Sequence, residues 1–179
     1  MTSMKLSRKG AMELIGHEAI VQTPYLDSVN VWTIGVGHTK AAGAPDPKGF
    51  SGTLAIKEAF DLFTRDVQKY VNAVNAALTK DVTQTEFDAL VSFHFNTGKI
   101  ASASLTKSIN AGDKKKAAAE FLNWKKPPEI IGRRTTEQKL FAEGVYSNGG
   151  KATLYPANAA GKVQWNKGKQ IDLATELGA

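Results

Sequence analysis

The chain has 179 residues, 42% of them hydrophobic and 22% charged, which excludes an intrinsically disordered protein and suits one domain or two tightly joined lobes. Its 23 Lys+Arg outnumber its 17 Asp+Glu, and the net charge of +6 favours approach to an anionic polymer or surface. The absence of cysteine excludes disulfide bonds and thiolate metal sites, and the N-terminal region holds no apolar run long enough for a signal peptide or membrane span.

The first predicted element is a short helix from residue 7 to about residue 19. Ser7 is a suitable N-cap, and apolar residues such as Leu14 and Ile15 recur at helical spacing. Glu18 follows these two by four and by three positions, so it extends the buried stripe. Because burial disfavours the charged form, we expect a raised pKa for the Glu18 carboxyl.

Two β-rich runs come next, around Val29-Asn30. Asn30 is the natural turn residue, since asparagine tolerates left-handed backbone angles. If strand pairing is centred on residue 30, Asp27 lies opposite Thr33. Cross-strand partners have Cβ atoms roughly 4.5–5.5 Å apart, near enough for both side chains to hold one water.

The remainder of the chain is predicted to be mainly helical. A loop over residues 40 to 52 precedes one long helix from about residue 53, and Thr83 with Glu86 forms a capping-box pattern at the start of the next helix. Shorter helices are predicted around residues 104–112, 113–124 and 135–144. From Ser147 the chain is rich in Gly, Asn and Lys; this stretch is interpreted as an extension with at most a small hairpin, packed on the body through Tyr155 and Trp165.

Glu18, Asp27 and Thr33 together suit the hydrolysis of a glycosidic bond by inversion. That reaction needs a protonated carboxylic acid for the leaving oxygen and a second group that positions and deprotonates water. Glu18 on an apolar helix face suits the first role, and Asp27 in a polar turn beside Thr33 suits the second. Spacing alone favours a structural interpretation instead, with Glu18 capping a helix end and Asp27 forming a turn.

The order of motifs along the chain resembles the phage-type lysozymes of glycoside hydrolase family 24. Glu18 precedes Asp27 by nine residues, Thr33 follows six later, and Thr33-Ile34-Gly35-Val36-Gly37-His38 matches the family's TIGxGH motif. Phe95-Asn96-Thr97-Gly98 matches its F-N-x-G signature, and segments 104–113 and 132–141 continue the resemblance, which covers about residues 5 to 146. Two positions depart from the family: Ala19 and Asn30 stand where glycine is usual.

The resemblance implies an α+β, mostly helical lysozyme-like fold. A small N-terminal lobe with a β-hairpin, a long connecting helix and a helical C-terminal lobe would enclose a cleft. Residues 1–146 would form this lysozyme domain, and residues 147–179 would be an extension packed on the body.

The resemblance also implies a muramidase that cleaves the β-1,4 bond between N-acetylmuramic acid and N-acetylglucosamine in bacterial peptidoglycan. In the family, residues matching Glu18, Asp27 and Thr33 form the catalytic triad, with Glu18 as general acid and the other two activating water. The expected protein is a monomeric endolysin that acts on peptidoglycan glycan strands in host cell lysis, with no cofactor, metal, nucleic-acid partner or membrane span. It would collect in the host cytoplasm and need a holin to reach the wall.

Further residues are candidates for substrate binding. Phe95 and Asn96 would line the cleft, where an aromatic face and an amide suit an N-acetylated sugar, although core packing fits Phe95 equally well. Ser104 is a weaker candidate on the same wall. Arg133 with its neighbour Arg134 could orient Glu18 or contact anionic substrate, although a solvated surface pair fits the sequence nearly as well.

The histidines are expected to have no catalytic role. His38 closes the glycine-rich strand, where a structural hydrogen bond or ion pair is expected. His17 is expected on the surface, because it lies on another helix face from Glu18.

Two other functions remain open. A lytic transglycosylase would use one catalytic glutamate and the substrate's own hydroxyl, and would release 1,6-anhydro products. A non-catalytic wall-binding component of a phage could also keep this fold. The joint presence of Glu18, Asp27 and Thr33 favours the hydrolase over both.

Overall fold

The computed structural model describes residues 2–178, and its elements confirm the predicted α+β class. The α-helices of this range are Arg8–His17 (α1), Ile56–Asp66 (α2), Gln68–Ala77 (α3), Gln84–Thr97 (α4), Ser104–Asn110 (α5), Lys114–Glu120 (α6), Ile131–Glu143 (α7) and Leu173–Glu176 (α8). The strands are Ala19–Leu26 (β1), Trp32–Gly35 (β2), His38–Thr39 (β3), Lys151–Leu154 (β4) and Lys169–Asp172 (β5).

The chain folds into two compact units, each built from two separate stretches of sequence. One unit comprises the described residues up to Ala11 together with Val67–Ser147, and it is helical. The other comprises Met12–Asp66 together with the described residues from Asn148 onward, and it contains the whole sheet. The predicted division of the chain at residue 147 into a lysozyme domain and an extension stays a prediction.

The sheet has the strand order β3-β2-β1-β4-β5. Strand β1 pairs antiparallel with β2 on one side and parallel with β4 on the other, through Ala19↔Thr153 and Ile20↔Leu154. Strand β4 in turn pairs antiparallel with β5. Residues 151–172 therefore contribute two strands to the same sheet as the hairpin, and backbone pairing holds them there.

The helical unit is organised around α4, most of whose side chains are buried. Thr83 caps this helix as predicted: its side chain accepts from the Glu86 N–H, and the Glu86 carboxylate accepts from the Thr83 N–H at 2.7 Å. The helix ends at Gly98, which adopts the left-handed conformation (φ 65°) that a residue without Cβ reaches at little cost. Phe93 on α4 packs edge-on against Phe121 and Trp124.

The single long helix predicted from residue 53 is wrong, because the structure has α2 and α3 with Val67 between them. The backbone of Val67 has ψ −14°, and its carbonyl accepts from the Tyr70 N–H at 2.9 Å, which is the tight i→i+3 turn of a 3₁₀ segment. Apolar spacing could not reveal the break, since both helices keep their buried residues in register. The boundary between the two compact units falls at this residue.

Candidate active site

Glu18 follows the last residue of the first helix instead of lying within it. Ser7 caps α1 as predicted, its hydroxyl accepting from the Gly10 N–H at 2.9 Å, but the helix ends at His17 and not near residue 19. The chain must leave the helix there because Ala19 already pairs with Thr153 in the sheet. The Glu18 N–H donates to the carbonyl of Ile15 at 3.0 Å, and the residue is half-buried.

The hairpin forms as predicted, but its register differs by two residues. Asn30 has φ 61°, which confirms the left-handed turn residue. Thr33 pairs with Tyr25, however, and not with Asp27, which lies one residue beyond β1 and whose N–H donates to the Val31 carbonyl at 3.1 Å. The predicted pairing of Asp27 with Thr33 is therefore wrong, because the turn is centred on residue 29.

The Asp27 carboxylate closes this turn with one of its two oxygens. Oδ1 accepts from the backbone N–H groups of Val29 and Val31, each at 2.9 Å. Among residues 2–178, no protein donor reaches the other oxygen, Oδ2. One carboxylate oxygen thus orients the side chain, and the second is available to a ligand or water.

The Thr33 hydroxyl is oriented by the same turn. It donates to the carbonyl of Val31 at 2.9 Å, and the residue is only 2% exposed. With its single hydrogen engaged, the hydroxyl oxygen keeps only lone pairs for a further partner. Thr33 can therefore accept a hydrogen bond from a small molecule but cannot donate one in this arrangement.

Tyr25 lies within the electrostatic influence of both acids. Burial, together with the nearby negative charges of the Asp27 and Glu18 carboxylates, raises the pKa of its phenol to about 12. Sequence reasoning missed this residue. The signal was present, since Tyr25 precedes Asp27 by two and side chains two apart on a strand face the same side.

A pocket of about 450 Å³ opens beside Glu18. Tyr25 and the end of α1 line one part of it. Three residues that follow Asn148 in the chain line another part: Thr153, Tyr155 and Trp165. His17 belongs to the same lining, so its expected surface position is wrong. Its side chain is 14% exposed and faces Glu13 at 3.9 Å.

His38 has the structural role that was predicted. It is 1% exposed, its Nδ1 lies 2.6 Å from the Asp66 carboxylate, and its Nε2 lies 2.8 Å from the Pro45 carbonyl. Both ring nitrogens are therefore engaged by oxygen atoms of the protein. This arrangement fixes the end of the glycine-rich strand and leaves the imidazole with no nitrogen for catalysis.

The other candidate residues belong to the helical unit. Phe95 is half-buried near the end of α4 and packs against Tyr70, with ring centroids 4.9 Å apart. Asn96 is exposed and accepts from Arg134 through its Oδ1, and Ser104 is the exposed first residue of α5. Their roles in substrate binding stay predictions.

Arg133 and Arg134 are not a solvated surface pair. Glu137, itself almost completely buried, accepts from Arg133 Nε at 3.0 Å and from Arg134 Nη1, and the Ser92 hydroxyl donates to it at 2.6 Å. Burial raises the pKa of the Glu137 carboxyl, and the two guanidinium groups counteract this by favouring the carboxylate. Burial likewise lowers the pKa of Arg134.

Within residues 2–178, no group of three or more His, Asp or Glu side chains is arranged to hold a metal ion. None of the helices in that range is both long and apolar enough to cross a bilayer. The arrangement around Tyr25 instead offers two carboxylates and a hydroxyl, which is a set of groups for proton transfer and water activation.

Comparison with known proteins agrees with this geometry. The family model described as phage lysozyme matches residues 16–137. The endolysin of Bacillus phage PZA is 35% identical over 84% of this chain, which spans 60% of that protein's length. The endolysin of Salmonella phage P22 is 34% identical over 77% of this chain and 98% of its own. A solved endolysin from Escherichia coli O157:H7 phage FAHEc1 superposes with a TM-score of 0.73, at 30% identity over 82% of this chain and 98% of its own. The chain therefore belongs to the phage lysozyme family.

Proposed function

We propose that this protein is a muramidase that hydrolyses the β-1,4 bond between N-acetylmuramic acid and N-acetylglucosamine in bacterial peptidoglycan. The observation that carries the proposal is the placement of three side chains around strands β1 and β2. Glu18 immediately precedes β1 and lines an open pocket, and Asp27 immediately follows β1. Val31 in the turn donates its N–H to the Asp27 carboxylate and accepts from the Thr33 hydroxyl through its carbonyl. Two acids that flank one strand of a small sheet, with a hydroxyl on the next strand, provide the groups that an inverting glycosidase needs.

In this mechanism Glu18 is the general acid. It stands beside an open pocket and is half-buried, so a glycosidic oxygen can approach it while bulk water is partly excluded. Protonation of the leaving oxygen assists cleavage of the bond as positive charge develops on the sugar. The carboxylate that remains on Glu18 is reprotonated before the next turnover.

Asp27 and Thr33 position the attacking water. Because the Thr33 hydroxyl donates to Val31, it accepts one water hydrogen, and Asp27 Oδ2 accepts the other. A water held in this way directs a lone pair at the anomeric carbon. As the new C–O bond forms, Asp27 takes the proton, which leaves the sugar with inverted configuration.

The substrate and the biological role follow from the same proposal. The glycan strand is proposed to contact four residues of the helical unit: Phe95, Asn96, Ser104 and Arg133. Arg133 would do so while its guanidinium stays hydrogen-bonded to Glu137. The protein is proposed to act as a monomer in host cell lysis, reaching the wall from the host cytoplasm through a holin lesion. The net charge of +6 supports attraction to an anionic wall.

Digestion of purified peptidoglycan, with mass spectrometry of the products, tests the reaction. We expect products that end in reducing N-acetylmuramic acid, because water is the nucleophile. Products with 1,6-anhydro ends would instead identify a transglycosylase and refute the hydrolytic mechanism.

The variant Glu18→Gln tests the general acid. It keeps the shape of the side chain but carries no proton to donate, so we expect it to abolish clearing of cell-wall suspensions with a nearly unchanged thermal midpoint. Glu143→Gln makes the same chemical change at an exposed position and should retain full activity. Wild-type clearing by Glu18→Gln would refute the assignment.

A further inference from the structure

Part of the pocket beside Glu18 is built by residues outside the stretch that matches the family model. That model ends at residue 137, whereas Thr153, Tyr155 and Trp165 all line the pocket. Thr153 and Tyr155 lie directly next to strand β1. Thr153 pairs with Ala19, and the Tyr155 N–H donates to the Ile20 carbonyl at 2.9 Å. The last stretch of chain thus adds a wall to the catalytic site.

Trp165 is an exposed aromatic residue held in a defined position. It is 63% exposed, and its ring lies edge-on to Tyr155 with centroids 5.0 Å apart. The loop before it is closed by a hydrogen bond from the Gln164 N–H to the Pro156 carbonyl at 2.9 Å and by a bridge between Ala157 and Val163. An ordered aromatic side chain that still faces solvent beside a pocket is typical of a ligand-binding surface.

The charges around the pocket disfavour an anionic ligand. Glu18 and His17 line it, lysine and arginine do not, and the field of Glu18 and Asp27 opposes the ionisation of Tyr25. Two lysines, Lys167 and Lys169, line a separate and smaller pocket that also includes Tyr155. An uncharged ligand with an apolar face for the aromatic rings and hydroxyl or amide groups for Thr153 fits this environment.

The size of the pocket agrees with such a ligand. Its volume of about 450 Å³ falls in the range of small-molecule sites, and both aromatic rings and polar side chains line it. A pyranose ring has this same division, with C–H bonds on its faces and hydroxyl groups around its edge.

We propose that Trp165 and Tyr155 form a saccharide subsite contiguous with Glu18, which binds an uncharged N-acetylglucosamine unit of the glycan strand. Trp165 presents its indole face to the sugar ring, and Thr153 contributes its hydroxyl. The subsite strengthens binding of the strand without taking part in bond cleavage. The assignment of the strand as peptidoglycan rests on the proposed function, whereas the sugar-binding surface itself does not.

Binding of triacetylchitotriose to the full chain, measured by calorimetry, tests this subsite directly. We expect Trp165→Ala to weaken binding about tenfold, Trp165→Phe to stay within about threefold of wild type, and Asn166→Ala to bind as wild type does. Asn166 is exposed and lies beside Trp165 in sequence without lining the pocket, so it is the matched control. Thermal unfolding checks that each variant is folded. If Trp165→Ala does not fold, Trp165→Phe is compared with the wild type in its place.

Kinetics on soluble glycan strands separate this role from catalysis. We expect Trp165→Ala to raise KM about tenfold and leave kcat within about twofold, because the lost contact is made equally in the ground state and the transition state. Unchanged chitotriose affinity and unchanged KM in Trp165→Ala would overturn the proposal. It would also be overturned if binding fell with salt and with Lys167→Ala but not with Trp165→Ala, since an anionic ligand would then occupy the neighbouring pocket.

The two proposals fail in different ways. If the wild-type protein bound chitotriose through Trp165 but cleaved no peptidoglycan, the subsite would stand and the muramidase would be refuted. If the wild-type protein cleaved peptidoglycan while Trp165→Ala kept its KM and its affinity, the muramidase would stand and the subsite would be refuted.

Discussion

At the scale of single residues, the two acids have different local partners. Asp27 is held by two backbone N–H groups of its own turn. Glu18 lies between the end of α1 and the start of β1, and it lines the pocket. This difference in position supports the proposed roles, in which Glu18 protonates the leaving oxygen and Asp27 orients the attacking water.

Variants of Asp27 and Thr33 test the two partners of the proposed water. We expect Asp27→Asn to lower turnover by about 10²–10⁴-fold, the range that a positioned acid or base contributes. Some activity should remain because Thr33 can still hold the water. Thr33→Ala should also lower turnover, whereas Thr33→Ser keeps the hydroxyl and should restore most of it. Wild-type turnover in Thr33→Ala would contradict the water-positioning role.

The raised pKa of Tyr25 predicts a loss of stability at high pH. Its pKa is about 12 in the folded protein against 10.0 for an unperturbed tyrosine, so above pH 10 the folded state binds more protons than the unfolded state. The contribution is therefore fully present below pH 10 and is lost as the pH rises toward 12. Urea unfolding at pH 9 and pH 11 should show a smaller decrease for Tyr25→Phe than for wild type. Equal decreases would contradict the predicted shift.

At the scale of elements, caps and turns determine where helices and strands end. Ser7 begins α1, the capping box begins α4, and Asn30 closes the hairpin in a left-handed conformation. Each is a local device that acts within a few residues of the chain. These features could be read from sequence because their partners lie next to them.

The capping box of α4 gives a measurable contribution to stability. Thr83→Ala removes the acceptor for the Glu86 N–H, so we expect the free energy of unfolding to fall by about 1 kcal/mol. Thr79→Ala makes the same change at an exposed position outside the helix and should have little effect. Chemical denaturation of both variants makes the comparison, and equal stabilities would argue against the cap.

At the scale of the whole molecule, the described residues from Asn148 onward share a sheet with strand β1. The side chains of Ala152, Ile171 and Leu173 in this stretch are all buried. Asn148 anchors its start: its side-chain amide donates to the Met12 carbonyl at 3.0 Å, and its backbone N–H donates to the Glu13 carboxylate at 3.2 Å. Removal of this stretch would expose the edge of β1 that pairs with β4.

Leu173 provides a test of this integration. It is 1% exposed, and Leu173→Ala should destabilise the protein by about 2–5 kcal/mol because a cavity replaces a buried side chain. Glu176→Ala lies on the same short helix at an exposed position and should be nearly neutral. A single, lowered thermal transition for Leu173→Ala would show that this stretch unfolds together with the rest of its unit. An unchanged main transition would show that it is an independent appendage.

The sequence by itself determined the fold class, the family and the starts of the helices, because these depend on periodicity, caps and ordered motifs. The tertiary structure decided the hairpin register, since pairing centred on residue 29 or on residue 30 satisfies the same alternating pattern. It also decided that α1 ends at His17 and that helix is interrupted at Val67. The pairing of β1 with β4 joins residues more than 130 positions apart, and only the folded chain brings Trp165 and Glu18 to one pocket. Contacts of this kind arise from packing between distant segments, which leaves no local pattern in the sequence.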